Sequence, residues 1–356
     1  MRVLIAGGGT AGHINPGLAI AKYIKEHMKD VDIVFIGTRR GLESKLVPRE
    51  GFLLRFIKVR GFKRKISLDT FKGVRDVFIG TYEAGKIIRE YKPDLVIGTG
   101  GYVCGPVLLM ASLLRIPTLI HESNAIPGIT NRILGRFMDS VCVGFSDAKK
   151  YFKKNVLVTG NPLRDGMIGD YDTTSGDKRV VIFGGSRGAR KINETVCKMI
   201  NKYGKDINFN MMFATGEAWY KDIEAKIEYR NDNIVVLPYI FDMPSKMKSA
   251  SLLVTRAGAM TLAEITAMGK PSILIPSPYV TANHQEHNAR ALEKNGASVV
   301  ILEDNLNEDM LFRNIVSIVN DNDKLYEMSN NSKKIGILDA KDKIFGEIKR
   351  ICKKVN

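Results

Sequence analysis

The chain has 356 residues, which is too many for one compact domain and enough for two domains of roughly 100 to 200 residues each. An apolar fraction of 44% excludes a disordered chain. The formal net charge of +16 favours an anionic partner, namely an acidic substrate, nucleic acid or an anionic membrane surface. The four cysteines are scattered without a CxxC pair, and no run approaches the roughly 18 apolar residues of a membrane-spanning helix. Disulfide-rich secreted, collagenous and integral membrane classes are thereby excluded.

The first half of the chain alternates short apolar runs with longer amphipathic stretches. The apolar runs predict strands at residues 3–6, 32–36, 94–98, 117–121 and 140–143. The amphipathic stretches predict helices at residues 16–28, 68–90 and 106–114. Continuous apolar strands that alternate with helices are typical of parallel strands covered on both faces.

The pattern then restarts, because residues 179–185 (RVVIFGG) repeat residues 2–8 (RVLIAGG). A second series of strands is predicted at residues 209–214, 234–237, 251–254 and 271–276. Residues 160–178 have the composition of a linker, and residues 341–355 predict a basic amphipathic helix. The predicted fold class is therefore α/β, with two Rossmann-like, doubly wound parallel-sheet domains facing a cleft.

Ligands of such folds bind beyond the carboxyl ends of the strands, where this chain has glycine-rich turns. Residues 7–13 (GGGTAGH) formally match GxGxxG, which would indicate a dinucleotide. However, the second strand ends in residues 35–39 (FIGTR), without the acidic residue that a nicotinamide site needs. A phosphate-facing helix N-terminus is preferred over a turn that needs glycine for backbone geometry alone.

Three further turns begin helices in the same way. Residues 98–106 contain four glycines and Pro106, and residues 184–190 (GGSRGAR) bring a hydroxyl and two guanidinium groups to a helix start. The latter suit a diphosphate, and a solvated basic helix end is the alternative. After Gly258, Glu264 is placed to accept hydrogen bonds from a ribose diol, with a surface interaction with the helix dipole as the alternative. Together the turns favour phosphate chemistry.

Metal and nucleophile sites find little support in the sequence. His284 and His287 are three apart without a nearby cysteine to complete a zinc set. The Asp-x-Asp pairs at residues 30–32, 170–172 and 321–323 are interpreted as solvated turns, and no GxSxG occurs. We therefore predict no metal and no cofactor.

Taken jointly, the motifs resemble those of the bacterial peptidoglycan glycosyltransferases, which move N-acetylglucosamine (GlcNAc) from UDP-GlcNAc to the C4 hydroxyl of undecaprenyl-diphospho-N-acetylmuramoyl-pentapeptide (lipid I to lipid II). These motifs are residues 8–13 (GGTAGH), 100–106 (GGYVCGP), 121–124 (HESN), 160–164 (GNPLR), 184–190 (GGSRGAR) and 256–264 (RAGAMTLAE). The resemblance implies a GT-B fold, inversion at the anomeric carbon, no essential metal, and a peripheral position on the cytoplasmic side of the cell membrane. It implies an acceptor and membrane domain at residues 1–160, with a helix at 337–356 packing back on it. Residues 161–336 would bind UDP-GlcNAc.

The resemblance also assigns roles to single residues. His13 would be the catalytic base, since histidine titrates near neutral pH, with binding of the acceptor phosphate as the alternative role. Substrate-binding positions would be Thr10, Ala11, Gly12, Asn124, Arg164, Ser186, Ile240, Gly258, Thr261, Glu264 and Gln285. Among these, Ile240 would hold the uracil through its backbone, Glu264 the ribose and Gln285 the sugar hydroxyls. The chain departs from the family pattern at Ala11, Ala257 and His284.

Two other functions compete with this one. A UDP-GlcNAc 2-epimerase of the same fold would need no lipid, and an RNA-binding protein would explain the +16 charge. The basic segments lack a recognisable nucleic-acid motif, so we predict no nucleic-acid partner. Residues 55–76 carry eight basic against two acidic residues among aromatic and aliphatic ones, which predicts attachment to an anionic membrane surface. The alternative is that the apolar residues belong to the core and the cations to a solvated face.

Overall fold

The computed structural model describes residues 1–60, 68–164, 166–167, 177–185 and 187–353. The chain divides into two compact units, here called the first unit (Met1–Arg164 with Asp339–Asn356) and the second unit (Asp165–Leu338). Part of the predicted linker lies outside the described residues. No helix within the described ranges is long and apolar enough to cross a membrane.

The first unit is built on a parallel sheet of seven strands in the order β3-β2-β1-β4-β5-β6-β7. These strands are β1 (Arg2–Ala6), β2 (Asp32–Gly37), β3 (Leu53–Phe56), β4 (Leu95–Gly98), β5 (Thr118–Glu122), β6 (Ser140–Val143) and β7 (Val156–Val158). The helices that alternate with them are α1 (Ala11–His27), α2 (Glu43–Arg49), α3 (Leu68–Tyr91), α4 (Cys104–Leu113) and α5 (Ile129–Leu134), followed by the 3-10 helix Ser146–Tyr151.

The second unit repeats this winding with six parallel strands in the order β10-β9-β8-β11-β12-β13. Its strands are β8 (Arg179–Phe183), β9 (Asn210–Ala214), β10 (Ile234–Leu237), β11 (Leu252–Thr255), β12 (Ser272–Leu274) and β13 (Ser298–Val300). Its helices are α6 (Arg190–Tyr203), α7 (Tyr220–Lys226), α8 (Met243–Lys248), α9 (Ala259–Ala267), α10 (His284–Glu293), α11 (Glu308–Val319) and α12 (Asn322–Ile335). Short 3-10 helices cover Gly204–Asp206, Thr281–Asn283 and Glu303–Asn305. The prediction of two doubly wound parallel-sheet domains is confirmed.

The first sheet is covered by apolar cores on both faces. Leu4 and Ala6 of β1 belong to one buried cluster, whereas Val3 and Ile5 belong to another. Because successive side chains of a strand point to opposite faces, a strand between two cores must be apolar at every position. This is why the central strands appear in the sequence as continuous apolar runs.

Helix α1 begins earlier than the sequence predicted. The amphipathic pattern predicted a helix over residues 16–28. The helix instead begins at Ala11, and the Thr10 carbonyl accepts hydrogen bonds from the N–H groups of His13 and Ile14 at 3.0 and 3.2 Å. Pro16 lies inside the helix. The early start places Thr10 to His13 at the helix N-terminus.

The last helix, α13 (Ala340–Lys353), packs against α1 and β6 of the first unit. Its residues Ile344, Ile348 and Ile351 are buried in the same apolar cluster as β1. Each such side chain contributes about 1.5 to 3 kcal/mol when fully buried. Tyr23 of α1 donates a hydrogen bond of 2.5 Å to Asp342, so polar and apolar contacts both fix the helix.

Candidate active site

In the first unit, three of the motifs meet at one edge of the sheet. Strands β1, β4 and β5 are parallel and adjacent, so the turns that follow them lie at the same carboxyl edge. This arrangement brings together the segment from Thr10 to His13, the glycine turn after Gly98, and Asn124.

The first and second glycine turns pack directly against each other. The N–H of Gly8 donates to the carbonyl of Gly100 at 3.4 Å. A Cβ on Gly101, which has a φ of +83°, would clash with the Gly8 carbonyl, and one on Gly7 would clash with Thr99. The glycines of the second turn, more numerous than a turn requires, therefore allow this close approach of two backbones.

His13 is half-buried and lies in the first turn of α1. Its ring packs against Gly100, where a Cβ would lie 2.5 Å from Nδ1. Its carbonyl accepts a hydrogen bond of 2.6 Å from Thr99 Oγ1, which ties the helix start to the second turn. Beside it, Thr10 and Gly12 are exposed and Ala11 is half-buried. The first N–H groups of a helix have no intrahelical acceptor, so this end of α1 can receive an anion.

Asn124 is positioned by a carboxylate whose role the sequence did not reveal. Glu122 ends β5, is 2% exposed, and accepts hydrogen bonds from the Asn124 backbone N–H at 2.9 Å and from Asn124 Nδ2 at 3.1 Å. It also accepts from the Gly128 N–H at 3.0 Å and Asn131 Nδ2 at 2.9 Å. Four donors on one buried carboxylate fix the loop that presents Asn124.

The histidine of the same motif has a structural role. His121 is fully buried, with Nε2 3.2 Å from the Gly160 carbonyl. Burial lowers the pKa of His121 below its ordinary value, so the ring stays neutral. His121 is therefore not a candidate for the general base at the carboxyl edge of the sheet. Arg164, at the end of the described run of the first unit, is exposed.

In the second unit, the turns after β8, β10 and β11 also lie at one carboxyl edge. The turn after β8 leads to α6, and Ser186 within it lies outside the described residues. Arg190 forms an exposed ion pair of 2.7 Å with Glu194 on its own helix. Arg190 therefore fits the alternative of a solvated basic helix end. Arg187 is also exposed, and it is the other arginine of this turn that could bind a diphosphate.

The loop between β10 and α8 holds Ile240. Its side chain is 3% exposed and packs inward, while its neighbours Tyr239 and Phe241 are exposed and form an edge-to-face pair at 5.1 Å. A buried side chain leaves the backbone of Ile240 as its means of contacting a ligand.

Helix α9 presents the fourth turn. Gly258 is its N-cap, Thr261 is half-buried in the first turn, and Glu264 follows in the second turn at 4% exposed. An interaction with the helix dipole at the surface, one of the two interpretations of Glu264, does not fit a buried carboxylate. Its burial favours acceptance of hydrogen bonds instead.

Gln285 and Arg256 fix the segment that follows β12. Gln285 Oε1 accepts a hydrogen bond of 2.9 Å from the Ser277 N–H. Arg256 donates through Nη1 to the carbonyls of Ile275 and Pro276 at 3.1 and 3.2 Å, and it forms an ion pair with Glu303. The sequence placed Arg256 in a motif without a role, and the structure shows that it joins the ends of three strands.

His284 and His287 both lie on α10, as the sequence spacing indicated. Within the described residues, no three His, Cys, Asp or Glu side chains are grouped as a metal site would require. The absence of a metal from the reaction remains a prediction.

Comparison with known proteins places the chain in a family. The glycosyltransferase family 28 N-terminal domain matches residues 3–143, and the C-terminal domain of the same family matches residues 179–344. A relative from Acetivibrio thermocellus is 58% identical over 99% of both chains, and one from Listeria monocytogenes is 44% identical over 99% of this chain and 100% of the relative. Both are named UDP-N-acetylglucosamine--N-acetylmuramyl-(pentapeptide) pyrophosphoryl-undecaprenol N-acetylglucosamine transferase.

Solved structures agree with this assignment. The crystal structure of Acinetobacter baumannii MurG superposes with a TM-score of 0.82 at 27% identity, over 98% of this chain and 99% of that one. A putative UDP-N-acetylglucosamine 2-epimerase from Listeria monocytogenes reaches a TM-score of 0.68 at 12% identity, which shows a shared fold alone. The GT-B fold is confirmed, and the epimerase is not favoured. The chain belongs to glycosyltransferase family 28, and within it to the N-acetylglucosamine transferases that the curated relatives represent.

Proposed function

We propose that this enzyme transfers GlcNAc from UDP-GlcNAc to the C4 hydroxyl of N-acetylmuramoyl-pentapeptide carried on undecaprenyl diphosphate, with inversion at the anomeric carbon. The observation that carries the proposal is the 58% identity with a transferase of this name over 99% of both chains. The two carboxyl edges described above supply groups suited to the two substrates.

The second unit binds the donor in this proposal. The backbone of Ile240 contacts uracil, and the buried carboxylate of Glu264 accepts hydrogen bonds from the ribose hydroxyls. The start of α9, from Gly258 to Thr261, faces the diphosphate, because unpaired N–H groups at a helix N-terminus favour an anion. Gln285 contacts the sugar hydroxyls.

The first unit binds the acceptor. Its diphosphate lies at the glycine turns that precede α1 and α4. Thr10, Ala11 and Gly12, at the start of α1, approach the donor. Asn124, held by Glu122, contacts the GlcNAc that is transferred. This division of labour corresponds to a domain at residues 1–160 for acceptor and membrane and one at 161–336 for UDP-GlcNAc, with the C-terminal helix belonging to the former.

The reaction requires one proton transfer and one displacement. The acceptor C4 oxygen forms a bond to the anomeric carbon as the bond from that carbon to the UDP oxygen breaks, and His13 takes the hydroxyl proton. The leaving diphosphate gains negative charge. Helix N-termini, Arg164 and Ser186 stabilise it in place of a metal.

A transfer assay with purified enzyme, UDP-GlcNAc and a soluble lipid I analogue tests the proposal. We expect release of UDP only in the presence of the acceptor, with the disaccharide product seen by mass spectrometry. Formation of UDP-N-acetylmannosamine without acceptor would instead identify an epimerase.

The first unit also has a surface suited to a membrane. Exposed apolar side chains lie on helices α3 and α4, which pack against each other, and on α5, which packs against α4. They are Phe78 at 74%, Tyr82 at 73%, Leu113 at 67%, Ile133 at 57% and, just after α5, Phe137 at 64% exposed. Next to this surface in sequence lie the cations of residues 55–76, of which residues 61–67 fall outside the described residues. Exposed apolar groups together with nearby cations in the sequence suit the interface of an anionic bilayer. We place the enzyme peripherally on the cytoplasmic side of the cell membrane.

Reversing the charge of Lys63, Arg64 and Lys65 to glutamate is expected to weaken co-sedimentation with anionic vesicles, because each surface cation contributes about 1 kcal/mol against an anionic leaflet. The matched control reverses three exposed lysines of the second unit, namely Lys198, Lys205 and Lys221. Equal vesicle binding by the two variants would place the attachment surface elsewhere. Replacing Phe78 and Tyr82 with serine tests the apolar part separately.

A further inference from the structure

A buried carboxylate lies beneath the first glycine turn. Glu43, the first residue of α2, is fully buried. Its Oε1 accepts hydrogen bonds from the Thr38 N–H at 2.9 Å and from Thr38 Oγ1 at 2.8 Å, and its Oε2 accepts from the Gly9 N–H at 3.0 Å. Because an ionised carboxylate only accepts hydrogen bonds, all three donors match it.

Glycines enclose this side chain on several sides. A Cβ on Gly8 would lie 2.8 Å from Glu43 Oε1, and a Cβ on Gly37 or Gly41 would clash with the Glu43 side chain. These glycines come from the turn after β1, from the end of β2, and from the loop before α2. The space that they leave is therefore filled by one carboxylate-bearing side chain.

The carboxylate of Glu43 is surrounded by neutral hydrogen-bond donors. Within residues 1–60 and 75–164, Glu43 forms no ion pair with a lysine, arginine or histidine. Two backbone N–H groups and a hydroxyl supply the stabilisation that a buried carboxylate needs. Removing the negative charge, or placing a donor where an acceptor stood, would leave buried N–H groups without partners.

The network reaches the proposed acceptor site through Gly9. This residue has a φ of +89° and directly precedes Thr10, the N-cap of α1, whose carbonyl accepts the His13 N–H. The Gly9 N–H points to Glu43, so it is not available to a ligand. Tyr102 covers the same turn, since a Cβ on Gly9 would lie 3.0 Å from its ring, and its hydroxyl lies 3.4 Å from Thr38 Oγ1.

We infer that Glu43 is a positioning residue, which holds the first glycine turn in the shape that presents the N-terminus of α1 and His13 to the acceptor. The inference rests on the proposed function, since it gives Glu43 a part in acceptor use. Glu43 contacts neither substrate and acts through Gly9.

The test compares Glu43→Gln with the parent enzyme in steady-state transfer, varying the lipid I analogue and UDP-GlcNAc separately. Glutamine keeps the volume but turns an NH₂ group toward the Gly9 or Thr38 N–H. Because small displacements at a reacting centre cost up to about 100-fold, we expect kcat/KM for the acceptor to fall about 10- to 100-fold. The KM for UDP-GlcNAc should change much less, because the proposed contacts to its uracil, ribose and diphosphate lie in the second unit.

Asp139→Asn is the control for loss of the same pattern of donors, at an exposed carboxylate away from the proposed site. Asp139 Oδ2 accepts from the Thr118 N–H and from Thr118 Oγ1, both at 2.9 Å, as Glu43 does from Thr38. It lies at the amino ends of β5 and β6, the opposite edge of the same sheet. A purely structural role for Glu43 would lower the unfolding temperature and leave the acceptor kinetics of the active fraction intact, as this control is expected to do.

Two failures are distinguishable. A parent enzyme that transfers no GlcNAc would contradict the proposed function. A parent that transfers, with Glu43→Gln matching Asp139→Asn in acceptor kcat/KM, would overturn the inference about Glu43. If Glu43→Gln does not fold, Thr38→Val decides, because it removes one hydroxyl donor and leaves both N–H bonds. It should lower acceptor kcat/KM in the same direction by a smaller factor, and an unchanged value would also overturn the inference.

Discussion

Replacing His13 with alanine is expected to lower the transfer rate by about 10²- to 10⁴-fold, the usual contribution of a general base. The side chain is half-buried and lies against Gly100 at the turn edge, outside the three apolar cores. The variant should therefore keep the thermal stability of the parent. The measurement is kcat with saturating UDP-GlcNAc and lipid I analogue, together with its dependence on pH.

His27→Ala is a suitable control, because His27 lies at the other end of the same helix and stacks on Tyr23 at 3.9 Å. Near-normal turnover of His13→Ala would remove His13 from the chemistry. A raised acceptor KM with kcat preserved would assign it to binding of the acceptor diphosphate instead. Loss of the acidic limb of the pH–rate profile, along with the rate, supports its role as the base.

The second large effect is expected at Glu264. Removing a buried acceptor strands the donors that it served and costs about 1 to 3 kcal/mol, so Glu264→Ala should weaken UDP binding about 5- to 150-fold. The loss should be much smaller for a 2′-deoxyuridine diphosphate, because that ligand has one ribose donor fewer. Calorimetric titration with both nucleotides measures the difference.

Glu308→Ala serves as the control for a helix-dipole effect, since Glu308 is an acidic residue in the first turn of α11. If Glu264→Ala binds UDP as tightly as Glu308→Ala does, Glu264 does not contact the nucleotide. Glu264→Gln, which retains one acceptor oxygen, should fall between alanine and the parent.

The sequence predicted the central strands of both sheets and missed three at their margins. Strands β3, β7 and β13 lie at sheet edges. β3 alternates exposed and half-buried residues, and β7 and β13 have only three residues each. An edge strand is covered on fewer sides, so it can lack the continuous apolar run that identifies a strand between two cores. The fourth edge strand, β10, was predicted because its four residues are all apolar.

The candidate site was predictable where glycine or a motif identified it, and not where distant side chains support it. The turns before α1 and α9 follow from their glycines. The hydrogen bond between Gly9 and Glu43 joins residues far apart in sequence. The residues around Glu43 contain no local pattern from which it could be predicted. The backbone conformation of Ala282 was equally unpredictable, because its φ is +53° and alanine rarely adopts a positive φ.

The position of α13 has a consequence for how the chain is made. Its isoleucines complete a core that also contains β1, a strand that is synthesised long before α13. At about 5 to 20 residues per second, synthesis of residues 165–356 takes roughly 10 to 40 s after the rest of the first unit has emerged. Throughout that interval the apolar groove over α1 is without its helix. The second unit, whose residues are contiguous, can finish folding first. Before α13 has been synthesised, the first unit therefore exposes apolar surface to which a chaperone could bind.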